Sequence, residues 1–223
     1  MSDRLNKFLA THLGISRREA DDAIADGKVL VNGKPAILGN RIENSDKVIF
    51  DGKPVNTAEL IYLLFNKPVG YVSSRAQQGS TSTIYELLPP EYHSLKTVGR
   101  LDKDSSGLIL LTNDGDFAFA MTHPKFYKNK TYQVSLDRPL EPLHQQMISD
   151  FGVTLPDGPS KLTLTAQDKT RKDWQVDMSE GRNRQIRRTF ASLGYTVTAL
   201  HRTHFGTYAL ADLKSGEWLT ITK

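Results

Sequence analysis

The 223-residue sequence contains no cysteine, which excludes disulfide bonds and a zinc site with thiolate ligands. It also has no run approaching the roughly 20 apolar residues that a membrane-spanning helix needs. Its first residues carry charges throughout, whereas a signal peptide has an unbroken apolar core. We therefore expect a cytoplasmic protein that makes no membrane contact.

The composition is that of a folded globular chain, with 38% apolar and 24% charged residues. The length allows a small domain joined to a larger one. A net charge of +4 and an isoelectric point near 9.2 are compatible with a polyanionic partner such as RNA, but the total charge alone decides little. The positions of the charges are more informative.

The N-terminal segment has the pattern of two short helices. Four apolar residues recur at helical spacing, namely Leu5, Phe8, Leu9 and Leu13. Gly14 can end this first helix in the left-handed conformation. Ser16 and Glu19 form the spacing of a capping box at the start of a second helix, which Gly27 closes. The pairs Asn32-Gly33 and Asp51-Gly52 then predict tight hairpin turns between short strands.

The remainder of the chain is rich in β-type segments. Predicted strands lie at 61–65, 108–112, 132–136, 162–164, 174–178 and 196–200, and predicted helices at about 114–121, 141–150 and 183–193. The polar stretch 75–83 is predicted to be a loop. This order favours an α+β fold with an extended, mainly antiparallel sheet. We place the domain boundary so that residues 1–57 form the first domain and residues 58–223 the second.

The stretch VGRLDKDSSGLILLTNDG, residues 98–115, places acidic groups just before a buried strand. Asp102, Asp104, Ser106 and Gly107 match the first, third, fifth and sixth positions of a calcium-binding EF-hand loop. The twelfth position, however, is Asn113 in place of a glutamate, and a strand-like run follows where an EF-hand needs a helix. We therefore predict no metal site here.

Two interpretations of this stretch stay open from local chemistry alone. Asp, Ser and Gly build turns through hydrogen bonds from side chain to backbone, so the segment is typical of a turn. Loops at the ends of strands also present catalytic groups, and Asp102 is a candidate. Arg100 precedes it by two residues and is expected to pair with it and order the loop.

The segment EGRNRQIRRTFASLG has four arginines within seven residues. On a helix, Ile186, Phe190 and Leu193 share one face, and the arginines Arg184, Arg187 and Arg188 spread over the opposite one. A solvated basic face is one interpretation. No acidic residue follows nearby in the sequence, and unpaired like charges repel each other. The second interpretation is therefore that an anion, most naturally a phosphate, lies among the arginines.

Tyr132 lies on a predicted strand with Lys128 and Lys130 before it. It points either into the core or into a cleft, where an aromatic ring beside lysines can stack on a base. Further cations cluster in the N-terminal segment, namely Arg4, Lys7, Arg17, Arg18, Lys28 and Lys34. At the start of a helix Arg17 and Arg18 oppose the helix dipole, so their position is not explained by helix stability.

The ordered motifs together resemble the RsuA/RluB/RluE/RluF family of ribosomal-RNA pseudouridine synthases. RLNKFLA, SRREA and VLVNGK are similar to the alpha-L RNA-binding domain. FNKPVGYVSS, GRLDKDSSGLILLTNDG, KTYQV and EGRNRQIRR follow in the order of the synthase domain. The resemblance implies a small alpha-L domain followed by a pseudouridine synthase domain.

The resemblance also implies residue roles. Asp102 would be the catalytic aspartate, Tyr132 the aromatic residue that contacts the target base, and Arg187 the basic partner of the aspartate. The uridine would leave its stack to reach them, and no metal or organic cofactor would be needed. RNA contacts are expected from Arg4, Lys7, Arg17, Arg18, Lys28, Lys130, Arg184 and Arg188. We expect a monomer whose partner is ribosomal RNA.

Several points stay open at this stage. The segment NKPVGY is interpreted as mainly structural, with Pro68 and Gly70 shaping a turn beside the cleft. His201, Arg202 and His204 either reach the site or are ordinary satisfied side chains. The alternatives to an enzyme are a non-catalytic RNA-binding or ribosome-assembly factor and a domain of a tRNA synthetase. Nothing in the sequence selects the small- or the large-subunit RNA, or the target uridine.

Overall fold

A computed structural model describes residues 2–75 and 79–223, so residues 76–78 of the expected loop lie outside the described part of the chain. The N-terminal part contains two helices and six short strands: β1 (Asp3–Arg4), α1 (Leu5–Leu13), α2 (Arg17–Ala25), β2 (Val29–Val31), β3 (Lys34–Pro35), β4 (Arg41–Ile42), β5 (Val48–Phe50) and β6 (Lys53–Pro54). β3, β2, β5 and β6 form one sheet in that order, and β1 pairs with β4.

The local signals of the N-terminal part act as predicted. Gly14 ends α1 with a left-handed φ of 70°. The capping box of α2 is complete, because the Ser16 hydroxyl accepts from the Glu19 amide and the Glu19 carboxylate accepts from the Ser16 amide. Both hairpin turns have positive φ at their two central residues. The apolar faces of the helices meet the sheet in one core that includes Leu5, Leu9, Ala20, Ile24 and Val29.

The second part contains eleven strands and three α-helices: β7 (Tyr62–Lys67), β8 (Lys96–Val98), β9 (Ser106–Thr112), α3 (Gly115–Thr122), β10 (Lys130–Leu136), α4 (Pro142–Gln146), β11 (Val153–Leu155), β12 (Gly158–Ser160), β13 (Thr163–Ala166), β14 (Asp173–Met178), α5 (Gln185–Ala191), β15 (Val197–Phe205), β16 (Tyr208–Ala209) and β17 (Trp218–Thr220). Short 3₁₀ helices cover Ile84–Leu87, Pro90–Tyr92 and Pro124–Phe126, and a π-helical turn covers Met147–Phe151. Within the described residues, no helix combines the length and apolar character that a membrane crossing requires.

Nine strands form one sheet in the second part. Its order is β13-β14-β10-β15-β9-β7-β17, with β16 paired to β15 and β8 paired to β9. All pairings described in this sheet are antiparallel except that of β9 with β15. The α+β fold with a mainly antiparallel sheet is therefore confirmed. The last predicted strand, 196–200, continues in the structure to Phe205.

The sheet is buried on both faces where β7 and β9 run. Leu63 and Phe65 of β7 belong to one core cluster, whereas Leu64 between them belongs to another. On β9, Ile109 and Leu111 likewise belong to the first cluster, whereas Leu108 and Leu110 belong to the second. Because successive side chains of a strand point to opposite faces, the unbroken apolar run supplies both cores.

β9 and β15 approach each other closely at Gly107. Gly107 pairs with Arg202 and has a φ of +104°. A Cβ atom at this position would lie 2.2 Å from the backbone oxygen of Arg202 and 2.6 Å from its backbone nitrogen. Only glycine permits this approach, which explains the glycine of the DSSGL segment.

The two parts of the chain touch through several polar contacts. Lys7 of α1 forms an ion pair with Asp116 of α3 at 2.6 Å, and His12 accepts a hydrogen bond from the Ala58 amide at 2.8 Å. The boundary between residues 57 and 58 stays a prediction. It is supported by the packing of Val55 on the N-terminal core and of Ile61 on the core of the large sheet.

We predict that Gly107→Ala lowers the free energy of unfolding far more than Gly70→Ala. Gly70 has a similar φ of +98°, but a Cβ atom added to it would enter open space, so its replacement reports the backbone strain alone. That strain costs on the order of 1–3 kcal/mol, and Gly107→Ala adds the clash with Arg202. Urea denaturation of the two variants measures the difference. Equal losses would contradict the close approach of the two strands.

Candidate active site

A cavity of about 460 Å³ opens where the large sheet, the 98–106 loop and the arginine segment meet. The residues singled out from the sequence that line it are Arg100, Asp102, Lys128, Lys130, Tyr132, Arg184 and Arg202. Three different elements therefore bring Asp102, Tyr132 and Arg184 to one place, whereas Arg187, the arginine expected to partner the aspartate, does not line the cavity. Asp104 and Arg184, which meet at its edge, are 80 residues apart in sequence, so the fold itself assembles the site.

The loop that carries Asp102 is held by backbone and hydroxyl contacts. The Ser105 amide donates to the Asp102 carbonyl at 3.1 Å, which closes a turn. The Gly70 amide donates to the Lys103 carbonyl at 2.8 Å, and the buried Ser73 hydroxyl donates to the Leu101 carbonyl at 2.9 Å. The Asp102 side chain is left one-third exposed at the cavity. The turn and the candidate catalytic role are thus compatible, because the turn fixes the backbone and leaves the carboxylate free to face a substrate.

Lys67 supports the same loop from beneath. Its side chain is fully buried, and its ammonium group donates to the Ser105 carbonyl at 2.6 Å and to the Pro68 carbonyl at 2.9 Å. Burial lowers the pKa of Lys67 to about 8, against the opposing effect of the nearby Asp102 and Asp104 charges. These contacts are consistent with a structural role for NKPVGY, but the sequence analysis did not single out its lysine. The available signal was a lysine that ends an apolar strand and precedes a proline.

The arginine nearest to Asp102 is Arg184, which corrects the expected pairing with Arg187. A terminal nitrogen of Arg184 lies 3.6 Å from an Asp102 carboxylate oxygen, and the same guanidinium binds both oxygens of Asp104 at 3.0 and 2.8 Å. Arg187 instead donates to the Asp104 and Val197 carbonyls, each at 2.7 Å. These hydrogen bonds from Arg184, aided by the charge of Arg187, hold the pKa of Asp104 below its usual range although burial opposes this.

Asp102 pairs with Arg184 and not with Arg187 because of where α5 begins. Arg184 precedes the helix and has a left-handed backbone with φ 47°, so it does not share the helical face predicted for it. Its side chain reaches the aspartate loop, whereas Arg187, in the first turn, reaches the base of that loop. Ile186 and Phe190 are buried as the helical pattern predicted.

The remaining arginines of the segment are also paired, contrary to the expectation that they would lack acidic partners. Arg188 binds both carboxylate oxygens of Asp157 at 3.0 and 2.7 Å, and Arg182 binds Asp157 at 3.1 Å. Asp157 comes from the β11–β12 hairpin, about 30 residues away in sequence, and the hydrogen bond from Arg188 lowers its pKa. Arg188 does not line the cavity, so a bound phosphate is not needed to explain its position.

Tyr132 and Arg202 lie opposite each other on β10 and β15. Both side chains are buried and both line the cavity. Of the two orientations that the sequence left open for Tyr132, the structure therefore has the one directed at a cleft. Lys130 also lines it, with its ammonium group directed at the Lys128, Ser179 and Glu180 carbonyls at 3.2 to 3.4 Å. Burial, with a smaller effect from the Arg202 charge, lowers the pKa of Lys130 to about 8.

Arg100 does not pair with Asp102 in the structure. It is exposed and lines the cavity, and it forms no hydrogen bond or ion pair among residues 2–75 and 79–223. The expected loop support comes instead from Lys67, Gly70 and Ser73. Of the two nearby histidines, His201 contacts the Ser106 hydroxyl at 2.9 Å, while His204 contacts that of Thr203 at 2.9 Å, and neither lines the cavity.

The N-terminal cations lie outside the cavity. Lys7 is held by Asp3 and Asp116, and Lys28 by Asp26 at 3.0 Å. Arg4, Arg17 and Arg18 are exposed, and none forms a hydrogen bond or ion pair with the described part of the chain. In the same part of the chain, no three His, Cys, Asp or Glu side chains are grouped so as to hold a metal ion.

Comparison with known proteins identifies the family. Residues 61–192 match the family model described as RNA pseudouridylate synthase, and residues 3–48 match the S4 domain. The chain belongs to the RNA pseudouridylate synthase family. The matched segment contains Asp102, Tyr132 and all four arginines of the arginine segment, and the S4 match confirms the N-terminal module expected from the sequence.

Individual members of this synthase family match over almost the whole chain. A ribosomal large subunit pseudouridine synthase B of Bacillus subtilis is 36% identical over 99% of this chain and 92% of its own. A ribosomal small subunit pseudouridine synthase A of Pasteurella multocida is 36% identical over 98% of this chain and 96% of its own. A crystal structure of a pseudouridylate synthase has a TM-score of 0.71 at 34% identity, covering 98% of this chain and 96% of that one.

The lowered pKa of Lys67 predicts how its contribution to stability varies with pH. The pKa of Lys67 is about 8 in the folded chain and has its ordinary value of 10.5 in the unfolded chain. At a pH between these two values, the unfolded chain therefore binds more protons at Lys67 than the folded chain does. The contribution of Lys67 to the free energy of unfolding therefore rises with pH through this window. Urea denaturation at about pH 7.5 and about pH 9.5 should show the stability of the wild type, relative to Lys67→Met, increasing with pH.

Lys161→Met, which removes the charge of an exposed lysine, is the matched control for the change in net charge. A difference between wild type and Lys67→Met that is identical at both pH values would contradict the lowered pKa.

Proposed function

We propose that this chain converts uridine to pseudouridine at defined positions of ribosomal RNA, with Asp102 as the catalytic carboxylate. The observation that carries the proposal is the placement of Asp102, Tyr132 and Arg184 around one cavity in a member of the synthase family. The relatives that match over almost the whole chain are named as synthases of ribosomal subunits, which supports ribosomal RNA as the substrate.

The reaction has three steps, and the residue types at the cavity suit them. The N1–C1′ bond of uridine breaks, the uracil turns while held, and C5 bonds to C1′. A carboxylate such as Asp102 can act at the sugar as nucleophile or base. The guanidinium of Arg184, 3.6 Å away, can orient this carboxylate, and the ring of Tyr132 offers a surface against which the detached uracil can stack.

The target base must leave its stack to reach this carboxylate. Tyr132 is 7% exposed and lies inside the cavity, so a base within a helix of RNA cannot contact it. We therefore propose base flipping, in which the cavity receives the extruded nucleotide. Lys130, at the same cavity, is placed to contact a flanking phosphate, whereas Arg184 and Arg188 serve that role only if their aspartate partners release them.

Of the N-terminal cations, Arg17 and Arg18 are the best placed to bind RNA. Both are exposed and without a described partner in the first turn of α2, where the helix dipole disfavours cations. An RNA phosphate offsets this cost and also accepts from the amides at the helix start. Arg4 is a further candidate. Lys7 and Lys28 would first have to give up carboxylate partners.

A non-catalytic ribosome-assembly factor is the alternative function. It would use the same S4 domain but would not need an aspartate, an arginine and a tyrosine around one cavity. The presence of all three favours the enzyme. We further propose that the enzyme acts as a monomer in the cytoplasm, where ribosomal RNA is modified, since Asp102, Arg184 and Tyr132 of the cavity all come from one chain.

Mapping of pseudouridine in a deletion strain tests the proposal. Carbodiimide modification and primer extension of ribosomal RNA should reveal at least one pseudouridine that is missing without this protein. The wild-type gene should restore it, as should Asp168→Asn, which changes an exposed turn carboxylate. Asp102→Asn should not restore it. A complete set of pseudouridines in the deletion strain, or restoration by Asp102→Asn, would refute the proposal.

Replacement of Arg17 and Arg18 by alanine tests the role of the S4 domain. Loss of a phosphate contact lowers the slope of log affinity against log salt by about 0.7 to 0.9 for each contact. The double variant should therefore bind ribosomal RNA more weakly and with a flatter salt dependence. The matched control is Lys169→Ala with Lys172→Ala, which removes the same charge from the β13–β14 turn. Equal slopes for the two double variants would place the RNA elsewhere.

A further inference from the structure

Arg202 is a buried arginine whose charged end has no partner. The residue is 2% exposed, and its Nε donates to the Leu108 carbonyl at 2.7 Å. Neither terminal nitrogen forms a hydrogen bond or an ion pair within residues 2–75 and 79–223, and Nη2 is also shielded from solvent. Leaving a charged donor buried and unpaired is costly, and Arg202 lines the cavity, so its terminal N–H groups are available to a molecule that enters there.

The fold holds Arg202 between the two residues that define the site. On one side β15 pairs with β10, which places Arg202 opposite Tyr132 with its guanidinium carbon 6.0 Å from the ring centre. On the other side β15 pairs with β9, where Arg202 lies opposite Gly107, shortly after the loop that carries Asp102. Its guanidinium also lies 4.9 Å from the ring of Phe205. These ring contacts stabilise the charge in part but satisfy none of its N–H groups.

The other arginines of the cavity differ from Arg202. Arg182 and Arg184 are bound by carboxylates, and Arg100 is exposed. The unpaired N–H groups beside Tyr132 therefore belong to Arg202.

We propose that Arg202 binds the uracil of the flipped nucleotide, with a terminal N–H donating to a carbonyl oxygen of the base. This inference rests on the proposed pseudouridine synthase function. When the N1–C1′ bond breaks, its electron pair stays with the uracil, and the negative charge spreads onto the two carbonyl oxygens, O2 and O4. C5 then supplies the pair for the new bond to C1′, the C5 proton leaves and N1 ends protonated. The Arg202 guanidinium stabilises the base while it carries the charge.

A base suits this position better than a phosphate. A phosphate carries its full charge and hydration before it binds, so its transfer to a site beside two aromatic rings is costly. Uracil enters neutral, stacks on Tyr132, and becomes negative only during the reaction. The contact therefore strengthens in the transition state, which makes Arg202 a determinant of rate more than of affinity.

The test compares Arg202→Met with Arg171→Met, a closely matched control. Arg171 also donates through Nε to a carbonyl at 2.7 Å and also lies over an aromatic ring, that of Trp174, but its terminal nitrogen is satisfied by Gln145. Single-turnover isomerisation is measured on a ribosomal RNA transcript that carries the uridine identified in the deletion strain. At saturating enzyme, Arg202→Met should lower the rate by about 10²- to 10³-fold with RNA affinity and its salt slope unchanged, and Arg171→Met should leave the rate within about twofold.

Two further variants keep the test decisive if Arg202→Met folds poorly. Arg202→Lys retains the charge, but its N–H donors all lie on one atom and cannot occupy the positions of both Nε, which binds Leu108, and the terminal nitrogens, so its rate should fall by at least about tenfold. Added guanidinium chloride at low, non-denaturing concentration should raise the rate of Arg202→Ala, while tetramethylammonium at equal ionic strength should not.

Each outcome has a distinct meaning. If the wild-type chain converts no uridine, both the proposed function and this inference are wrong. An active wild type with an unchanged saturating rate in Arg202→Met and Arg202→Lys would overturn the inference alone. A flatter salt slope with an unchanged saturating rate would also overturn it, because that pattern marks a phosphate contact.

Discussion

β9 and β15 come so close at Gly107 and Arg202 that no side chain fits between their backbones. This contact is the parallel pairing in a sheet whose other described pairings are antiparallel, and it joins the strand that follows the Asp102 loop to the strand beside Tyr132. Without it, the aspartate and the tyrosine would belong to separate halves of the sheet. The cavity exists because this single approach closes the gap between them.

Electrostatics around the aspartate loop is arranged in two layers. Beneath the loop, the buried Lys67 binds backbone oxygen atoms and stays close to the carboxylates. At its edge, Arg184 and Arg187 hold Asp104 in a fixed position, and Arg184 extends to Asp102 as well. Asp104 therefore orders the arginine that serves Asp102. The two aspartates of the motif therefore differ in their surroundings: the Asp104 carboxylate is bound by an arginine, whereas the Asp102 carboxylate is left one-third exposed at the cavity.

Local features were predictable from the sequence because they depend on neighbours in the chain. The capping box at Ser16, the glycine that ends α1 and both hairpin turns involve residues at most a few positions apart. The arginine pairings were not predictable, since Asp104 and Asp157 come from distant segments and no spacing rule connects them to α5. The same reason hid Lys67 and the orientation of Arg202. The motifs indicated which segments of the chain meet, but not which partner each side chain takes.

The burial of β7 and β9 on both faces has a consequence for how such a chain can change over time. Neighbouring leucines of β9 enter two different cores, so each side chain has a shape to fill on its own side of the sheet. Substitution of one aliphatic residue for another alters one core slightly. Insertion or deletion of a single residue would exchange every side chain between the cores and shift Asp102 relative to Tyr132. The length of this strand is thus more tightly constrained than its composition.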